Sequence, residues 1–427
     1  MNPIATMPTG GAALLWGVLT FSLLILLHEG GHFLAARAFG VKVHDFMLGL
    51  PGPALTWRSK RSGVRYGVTM IPLGGYVRIA GMEPGQEDLL LAAALGLVAD
   101  GKVTDVFGLT SALAIDAKRA TALLSTLEDY GAAEPVTGSD STTPLARREA
   151  GEGDDALLDR VRTGVYRGQS MWKRIAILSA GVLTNLIAAI LILTLTLSIW
   201  GVPTPVPTIA AVSSGGPAAI AGIRQGDTIT GLDGVKVTEW DQIRSAMGAA
   251  AAGKIVTVDV KRGTGTLTLH ATLVAKEGGG AMLGVTAATR DVPMALSKAA
   301  ETSFSMVGQV FSAVGRLANP STFAVSIQGA RSVVGISYEV ANAVAEGPLP
   351  YAWMIALLSL SLGVMNLLPI PPLDGGKIAT ELIEGLFRRP IPRRVTLAFS
   401  ALGTLLLFSL VFYLMYADVL RYVINKG

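Results

Sequence analysis

Two histidines four residues apart, with a glutamate beside the first, are the residues best suited to do chemistry in this chain: His28-Glu29-Gly30-Gly31-His32. On a helix, positions i and i+4 share a face with Cβ atoms about 5–6 Å apart, so both imidazoles can reach one metal ion at about 2.0–2.1 Å. A carboxylate at Glu29 can take the proton of a water that the metal acidifies, while the metal polarises a carbonyl group. The pentad also arises by chance in chains that hold no metal, so its surroundings must decide. They are apolar (Leu23-Leu24-Ile25-Leu26-Leu27 precedes it). An ionisable group at bilayer depth costs about 2.5–3.5 kcal/mol on insertion scales, so three such groups need a compensating partner. There is no cysteine, which excludes disulfides, thiolate catalysis and cysteine zinc sites. Any metal must then be held by His, Asp or Glu.

Catalytic zinc takes three protein ligands and keeps one position open. The third can come from Asp374, in Met365-Asn366-Leu367-Leu368-Pro369-Ile370-Pro371-Pro372-Leu373-Asp374-Gly375-Gly376. Three prolines end an apolar segment and release backbone groups, the two glycines allow close approach, and Asn366 offers both a donor and an acceptor. A bare Pro-Pro-Leu-Asp-Gly-Gly is otherwise an ordinary turn with a capping Asp; coupled to the histidine pair it reads as a ligand. The remaining histidines, His44 and His270, read as structural.

The elements that must position these residues are membrane elements. Of 427 residues, 51% are hydrophobic and 15% charged, against about 25% charged in soluble domains; the mean hydropathy is +0.51. Four stretches, near 12–38, 176–200, 351–368 and 397–417, are long enough to cross the roughly 30 Å hydrocarbon core. The first and third carry the polar residues and should line the site. Gly30-Gly31 should loosen the first of them. Arg and Lys beside the span ends place the loops after the first span, before the second, and between the third and fourth in the cytoplasm, with 201–350 and both termini outside. A net charge of +4 is loop charge, and no basic-aromatic cluster points to nucleic acid.

The domains expected are 1–85 (first span and β-loop), 86–165 (soluble insertion), 166–200 (second span), 201–290 (a compact α+β domain), 291–350 (amphipathic connector) and 351–427 (third and fourth spans). Residues 54–80 alternate apolar and polar positions between turns at Ser62-Gly63 and Gly74-Gly75, a hairpin or meander. Residues 86–165 carry 14 acids against 7 bases, two helix-like patterns and a Gly/Ser/Thr/Pro stretch near 131–144, as in a partly flexible cytoplasmic insertion. Residues 293–318 have an amphipathic pattern suited to lying on the outer membrane face.

His28-Glu29-x-x-His32 together with Asn366-x-x-Pro369-x-Pro371-x-x-Asp374-Gly375-Gly376 resembles the site-2 protease family of intramembrane zinc metalloproteases, within it the bacterial regulator of sigma-E protease branch. Gly74-Gly75-Tyr76-Val77 resembles the family's membrane-associated β-loop, and Trp172-Lys173-Arg174 followed by Ala180-Gly181-x-x-x-Asn185 the start of its second span. The resemblance implies a multi-pass α-helical protein of the bacterial cytoplasmic membrane, with about four spans, a β-loop and one extracytoplasmic PDZ-like domain. It makes His28, His32 and Asp374 ligands of Zn2+, Glu29 the catalytic base and Asn366 a substrate-orienting residue. Its substrates would be single-pass membrane proteins such as anti-sigma factors, or remnant signal peptides, paired as an added strand with Gly74, Gly75, Tyr76 and Val77. Gly216-Pro217-Ala218-Ala219-x-Ala221-Gly222-Ile223-x-x-Gly226-Asp227 resembles a circularly permuted PDZ domain, whose loop Leu283-Gly284-Val285 would take peptide termini.

Two other classes compete: a catalytically silent membrane adaptor that captures partners through the PDZ-like domain, and a zinc enzyme acting on lipids or small molecules. The first needs no stoichiometric zinc, and the second has no use for a strand-pairing loop.

Overall fold

A run of apolar residues free of proline favours an unbroken first helix, and the computed structural model, which describes residues 10–419 apart from 73, 83–86, 137–140, 276–279, 319–320, 323–330, 388 and 390, has one in α1 (Gly10–Ala38). The glycine pair does not loosen it. Gly31 is buried, and a Cβ there would collide with the Ala180 carbonyl oxygen; its missing side chain lets a second helix approach closely. The chain divides into two compact units, Met1–Leu193 with Thr302–Gly427, and Thr194–Glu301.

In the first unit α1 leads into a sheet of β1 (Val43–Leu48), β2 (Ala54–Arg58), β3 (Arg65–Thr69) and β4 (Gly75–Ile79), in the order β2-β3-β1-β4. This is not a meander. β2 and β3 form the expected hairpin, but β1 inserts between β3 and β4, parallel to β3 and antiparallel to β4. Its alternation hides a charge on the buried face, Asp45, which Arg65 neutralises at 2.7 Å. β4 is left as an edge strand.

The acidic insertion is a helical subdomain of α2 (Leu91–Ala99), α3 (Val106–Leu113), α4 (Ala117–Asp129) and α5 (Asp154–Arg162), with a short hairpin of β5 (Ala133–Pro135) and β6 (Thr142–Pro144) where a flexible stretch was expected. The second helix-like pattern is two helices: Ala114 takes a left-handed conformation and Asp116 caps α4 by accepting from the Arg119 amide. Leu95, Leu109, Leu123, Leu127 and Leu157 make the core. Many of the acids are paired, Arg148 with Asp100 and Asp154, Arg160 with Glu152 and Arg119 with Asp88. The subdomain docks on the sheet through His44 Nε2 to the Asp129 carbonyl (2.6 Å) and the Gly81 amide to Asp129 Oδ2 (2.8 Å).

α6 (Met171–Ile199) follows, and the first unit closes with α9 (Leu296–Ala318), α10 (Val333–Glu346), α11 (Pro348–Asn366), α12 (Asp374–Phe387) and α13 (Arg393–Val419). Among the described residues, four helices are long and apolar enough to span a membrane: α1, α6, α11 and residues Arg394–Asp418 of α13. α9 sets Met306, Val307, Val310 and Val314 against Ala189, Leu360 and Val364, so its apolar stripe packs on the spans rather than facing only a membrane surface. α10, where only a connector was expected, is capped by Ser332 and crosses α1 where Gly17 meets Ser337.

The second unit is a sheet of β7 (Val202–Val212), β8 (Thr228–Leu232), β9 (Val235–Lys236), β10 (Ile255–Arg262), β11 (Gly265–Thr272) and β14 (Val285–Val292), ordered β11-β10-β8-β7-β14 with β9 on β8, plus the two-residue strands β12 (Val274–Ala275) and β13 (Ala281–Met282). The helices are α7 (Pro217–Ile220) and α8 (Trp240–Ala249), the latter held by a capping box between Glu239 and Gln242. Ile209, Ile229, Ile243, Val256, Val258 and Val260 form its core. His270 lies on β11, 3.4 Å from the Thr257 hydroxyl.

Candidate metal centre

The helical spacing sets His28 and His32 on one face of α1, and the α1–α6 contact buries that face. Gly181 is the cradle: a Cβ there would lie 2.8 Å from His32 Cε1 and 2.9 Å from His28 Cε1, so any side chain would push the rings aside. α12 brings the third group. Its first residue is Asp374, and Gly375 and Gly376 let the helix fold back on the Leu367–Pro371 turn, where a Cβ would strike the backbone carbonyls of Leu367 and Leu368 or the Pro371 nitrogen.

Three atoms then converge. Asp374 Oδ2 is 2.9 Å from His28 Nε2 and 3.0 Å from His32 Nε2, and the two Nε2 atoms are 3.3 Å apart. Ligands about 2.0 Å from a tetrahedral zinc are separated by about 3.3 Å, close to these edges. Hydrogen bonding makes the same point. His32 Nδ1 is 2.8 Å from the Ile177 carbonyl oxygen, which can only accept, so Nδ1 carries the proton. In neutral His32, Nε2 is then a lone pair facing a carboxylate oxygen. A cation at the centre satisfies that arrangement, and two imidazoles with one carboxylate are a donor set that suits zinc. The other carboxylate oxygen, Oδ1, is 3.4 Å from Lys377 Nζ, which orients Asp374.

Glu29 lies beside the cluster on α1, and its Oε2 accepts the Val77 amide of β4 at 3.1 Å. Gly75 closes the contact: a Cβ there would be 3.9 Å from Glu29 Cγ and 2.9 Å from the Met47 carbonyl oxygen. Of the strand residues singled out from the sequence, Val77 thus touches Glu29 directly, Gly74 (φ +91°) makes the turn into β4, and Tyr76 pairs with Met47 of β1. Asn366 ends α11, half-buried, with no side-chain hydrogen bond among the described residues. Ser359 donating to the Asn185 carbonyl (2.9 Å) and Gly363 lying on Val182 and Leu186 make α11 antiparallel to α6, which carries Asn366 toward the level of Gly181.

The loop Leu283-Gly284-Val285 lies in the second unit. Leu283 is buried and its carbonyl accepts from Ala218; the Gly284 carbonyl (φ +78°) accepts from Ser213; Val285 opens β14 opposite Val212. Sequence reasoning missed three parts of the centre: the Gly181 cradle, the Ile177 carbonyl behind His32, and the amide of Val77 on Glu29. A glycine one turn before Asn185 was visible as a motif, but nothing in residue types alone assigns a backbone carbonyl or amide to a site.

Residues 16–410 match the sequence profile described as peptidase family M50. Metalloprotease MmpA of Caulobacter vibrioides is 29% identical over 439 aligned positions, covering 95% of this chain and 94% of its own length. Zinc metalloprotease RasP of Shouchella clausii is 29% identical over 415 positions, covering 93% and 96%. Among solved structures, the PDZ domain of an SdrC-like protein from Listeria monocytogenes is similar at 23% identity, covering 20% of this chain and 90% of that one, with a TM-score of 0.18. Because the family match takes in both the helix carrying the two histidines and the turn carrying Asp374, the chain belongs to peptidase family M50, the site-2 protease family, and is a membrane zinc metalloendopeptidase.

Proposed function

We propose that His28, His32 and Asp374 hold the zinc, that Glu29 is the catalytic base, and that the bonds cleaved lie in membrane-spanning segments of membrane-anchored proteins. The observation that carries this reading is the convergence of three ligand atoms within 3.3 Å of one another beside a carboxylate tied to a free sheet edge. Zinc bound there polarises a peptide carbonyl and lowers the pKa of water.

The protein's own residues do the rest. A spanning substrate helix has satisfied its backbone hydrogen bonds internally, so it must unwind before water can attack. Edge strand β4 offers the pairing groups of Gly74, Gly75, Tyr76 and Val77 to the unwound segment as an added strand. Because Val77 also donates to Glu29, a strand docked on β4 is registered against the base. Asn366 holds the substrate backbone with its amide. Glu29 takes the proton of the attacking water and passes it to the leaving amine.

The second unit belongs outside the cytoplasm, on the side opposite the basic loops, where Leu283-Gly284-Val285 takes peptide termini. The membrane is the bacterial cytoplasmic membrane, and the substrates are anti-sigma factors already trimmed outside, or remnant signal peptides.

Glu29→Gln tests the assignment. Cleavage of a tethered membrane segment should fall by about 10²–10⁴-fold, the usual contribution of a general base, while zinc stays near one per chain. The inactive variant should also retain bound membrane segments that mass spectrometry can identify. Turnover that persists in the variant removes Glu29 from the mechanism.

A further inference from the structure

The two imidazoles present Nε2 to the same point, but their other ring nitrogens differ. His32 Nδ1 donates to the Ile177 carbonyl. His28 Nδ1 is buried and has no hydrogen-bond partner among the described residues. A metal-binding imidazole uses this second bond to fix the tautomer and the ring plane, and outer partners of this kind matter nearly as much as the ligands.

An unpartnered acceptor lies on the neighbouring helix. Asn185 is 0% exposed, yet neither its Oδ1 nor its Nδ2 has a hydrogen-bond partner among the described residues. Its backbone carbonyl is satisfied by the Ser359 hydroxyl, so the turn is pinned while the side-chain amide stays unused. An apolar residue would pack there without the desolvation penalty that a buried, unbonded amide carries.

The register of the two helices places both orphans along one contact. α1 and α6 run antiparallel, with His32 at Ile177, Gly31 at Ala180 and His28 at Gly181. A Cβ on Gly181 would be 2.9 Å from His28 Cε1, the atom bonded to Nδ1. Asn185 is one turn further along the same face of α6, a rise of about 6 Å that an asparagine side chain leaning back toward the helix N-terminus closes together with one water.

We propose that Asn185 is the positioning residue of His28: its Oδ1 accepts the Nδ1–H proton through one buried water, and so holds Nε2 toward the metal as the Ile177 carbonyl holds that of His32. The inference rests on the reading of His28 as a zinc ligand.

The test uses the full chain in detergent. Asn185→Leu removes the amide at similar volume. Zinc affinity, measured by competition with a chelator, should fall about 10–100-fold, and the visible spectrum of the cobalt-substituted protein should shift. The melting temperature of the metal-free protein should hold or rise, because a buried unpaired amide has gone. Asn185→Asp keeps an acceptor oxygen and should restore affinity to within a few-fold of the parent. An Asn185→Leu protein that binds zinc as tightly as the parent, with the same cobalt spectrum, overturns the proposal. Where that variant does not fold, Asn185→Ala against Asn185→Asp gives the same decision, and equal affinity in the two counts against it. His28→Ala separates the two readings: if it keeps full zinc, the metal centre itself is misassigned; if it loses zinc while Asn185→Leu does not, only the present inference fails.

Discussion

Asp227 of the second unit and Asp374 of the first are both almost completely buried, and they are buried differently. Asp227 of the second unit is 1% exposed. Arg262 closes it with a fork, Nε to Oδ1 and Nη2 to Oδ2 both at 2.7 Å, and the Arg224 amide adds a third bond at 2.8 Å. Asp374 of the first unit is 6% exposed and shares Oδ2 between two imidazole nitrogens, with only Lys377 on Oδ1. The first carboxylate has its charge cancelled within the protein and its lone pairs used, so it offers little to a ligand. The second faces His32 Nε2, which is a lone pair when that histidine is neutral because its Nδ1 proton is given to the Ile177 carbonyl. Burial alone does not mark a metal site; what the buried carboxylate faces does.

The largest effect follows from removing the second carboxylate. Asp374→Ala should lose stoichiometric zinc on dialysis and drop cleavage to background, with the second unit's unfolding unchanged. Elemental analysis alongside hydrogen exchange in the intact chain reads both. Zinc retained at parental affinity would break the comparison, since Asp374 would then be as self-sufficient as Asp227.

The candidate centre was legible in the sequence because zinc-binding residue types are few and stand at fixed helical spacing, and the Pro-Pro-Leu-Asp-Gly-Gly turn, ordinary by itself, took its reading from that histidine pair. What positions these side chains was not. Gly31 reads as a weak point in a helix until the Ala180 carbonyl is seen against it. β1 escaped notice because Asp45 occupies one of its core-facing positions, and Arg65, twenty residues away, with Arg78 of β4 at 3.9 Å, makes that tolerable. The break at Ala114 hides inside a good helical pattern, and α10 owes its place to the fit of Gly17 against Ser337. Apart from the Ala114 break, a local left-handed turn, each of these is a non-local contact, which residue periodicity does not encode. Of the insertion, only its helical stretches and its acidity could be read; the arginine pairing and the dock on the β sheet through Asp129 required coordinates.

A mid-sized effect should come from opening the other aspartate. Arg262→Met leaves Asp227 charged and buried with the Arg224 amide as its remaining hydrogen-bond partner among the described residues, and removing one side of an ion pair destabilises by leaving the other charge uncompensated. The loss should appear as faster exchange of the β8 and β10 amides in the full chain, while zinc affinity stays at the parental value. Replacing both partners, Arg262→Met with Asp227→Leu, should recover most of the stability, because the uncompensated charge has gone. A drop in zinc affinity in the single variant would mean that the two carboxylates are not independent.

The smallest effect is the pH dependence of that pair. The Arg262 guanidinium beside Asp227 holds its carboxyl below the usual carboxylate range, whereas in the unfolded chain it titrates near ~3.9. Above the unfolded value both states are ionised, and the pair's contribution is fully present. As pH falls below it, the unfolded chain takes up a proton that the folded domain refuses, so stability is lost progressively until the folded carboxyl is protonated as well. Protection of the β8 and β10 amides should therefore be flat from neutral pH to about pH 5 and decline below about pH 4. Arg262→Met should flatten that decline, since the largest cause of the lowered folded pKa has gone. An identical decline in parent and variant would assign it to other carboxylates, and Asp227 would lose its standing as the self-contained counterpart of Asp374.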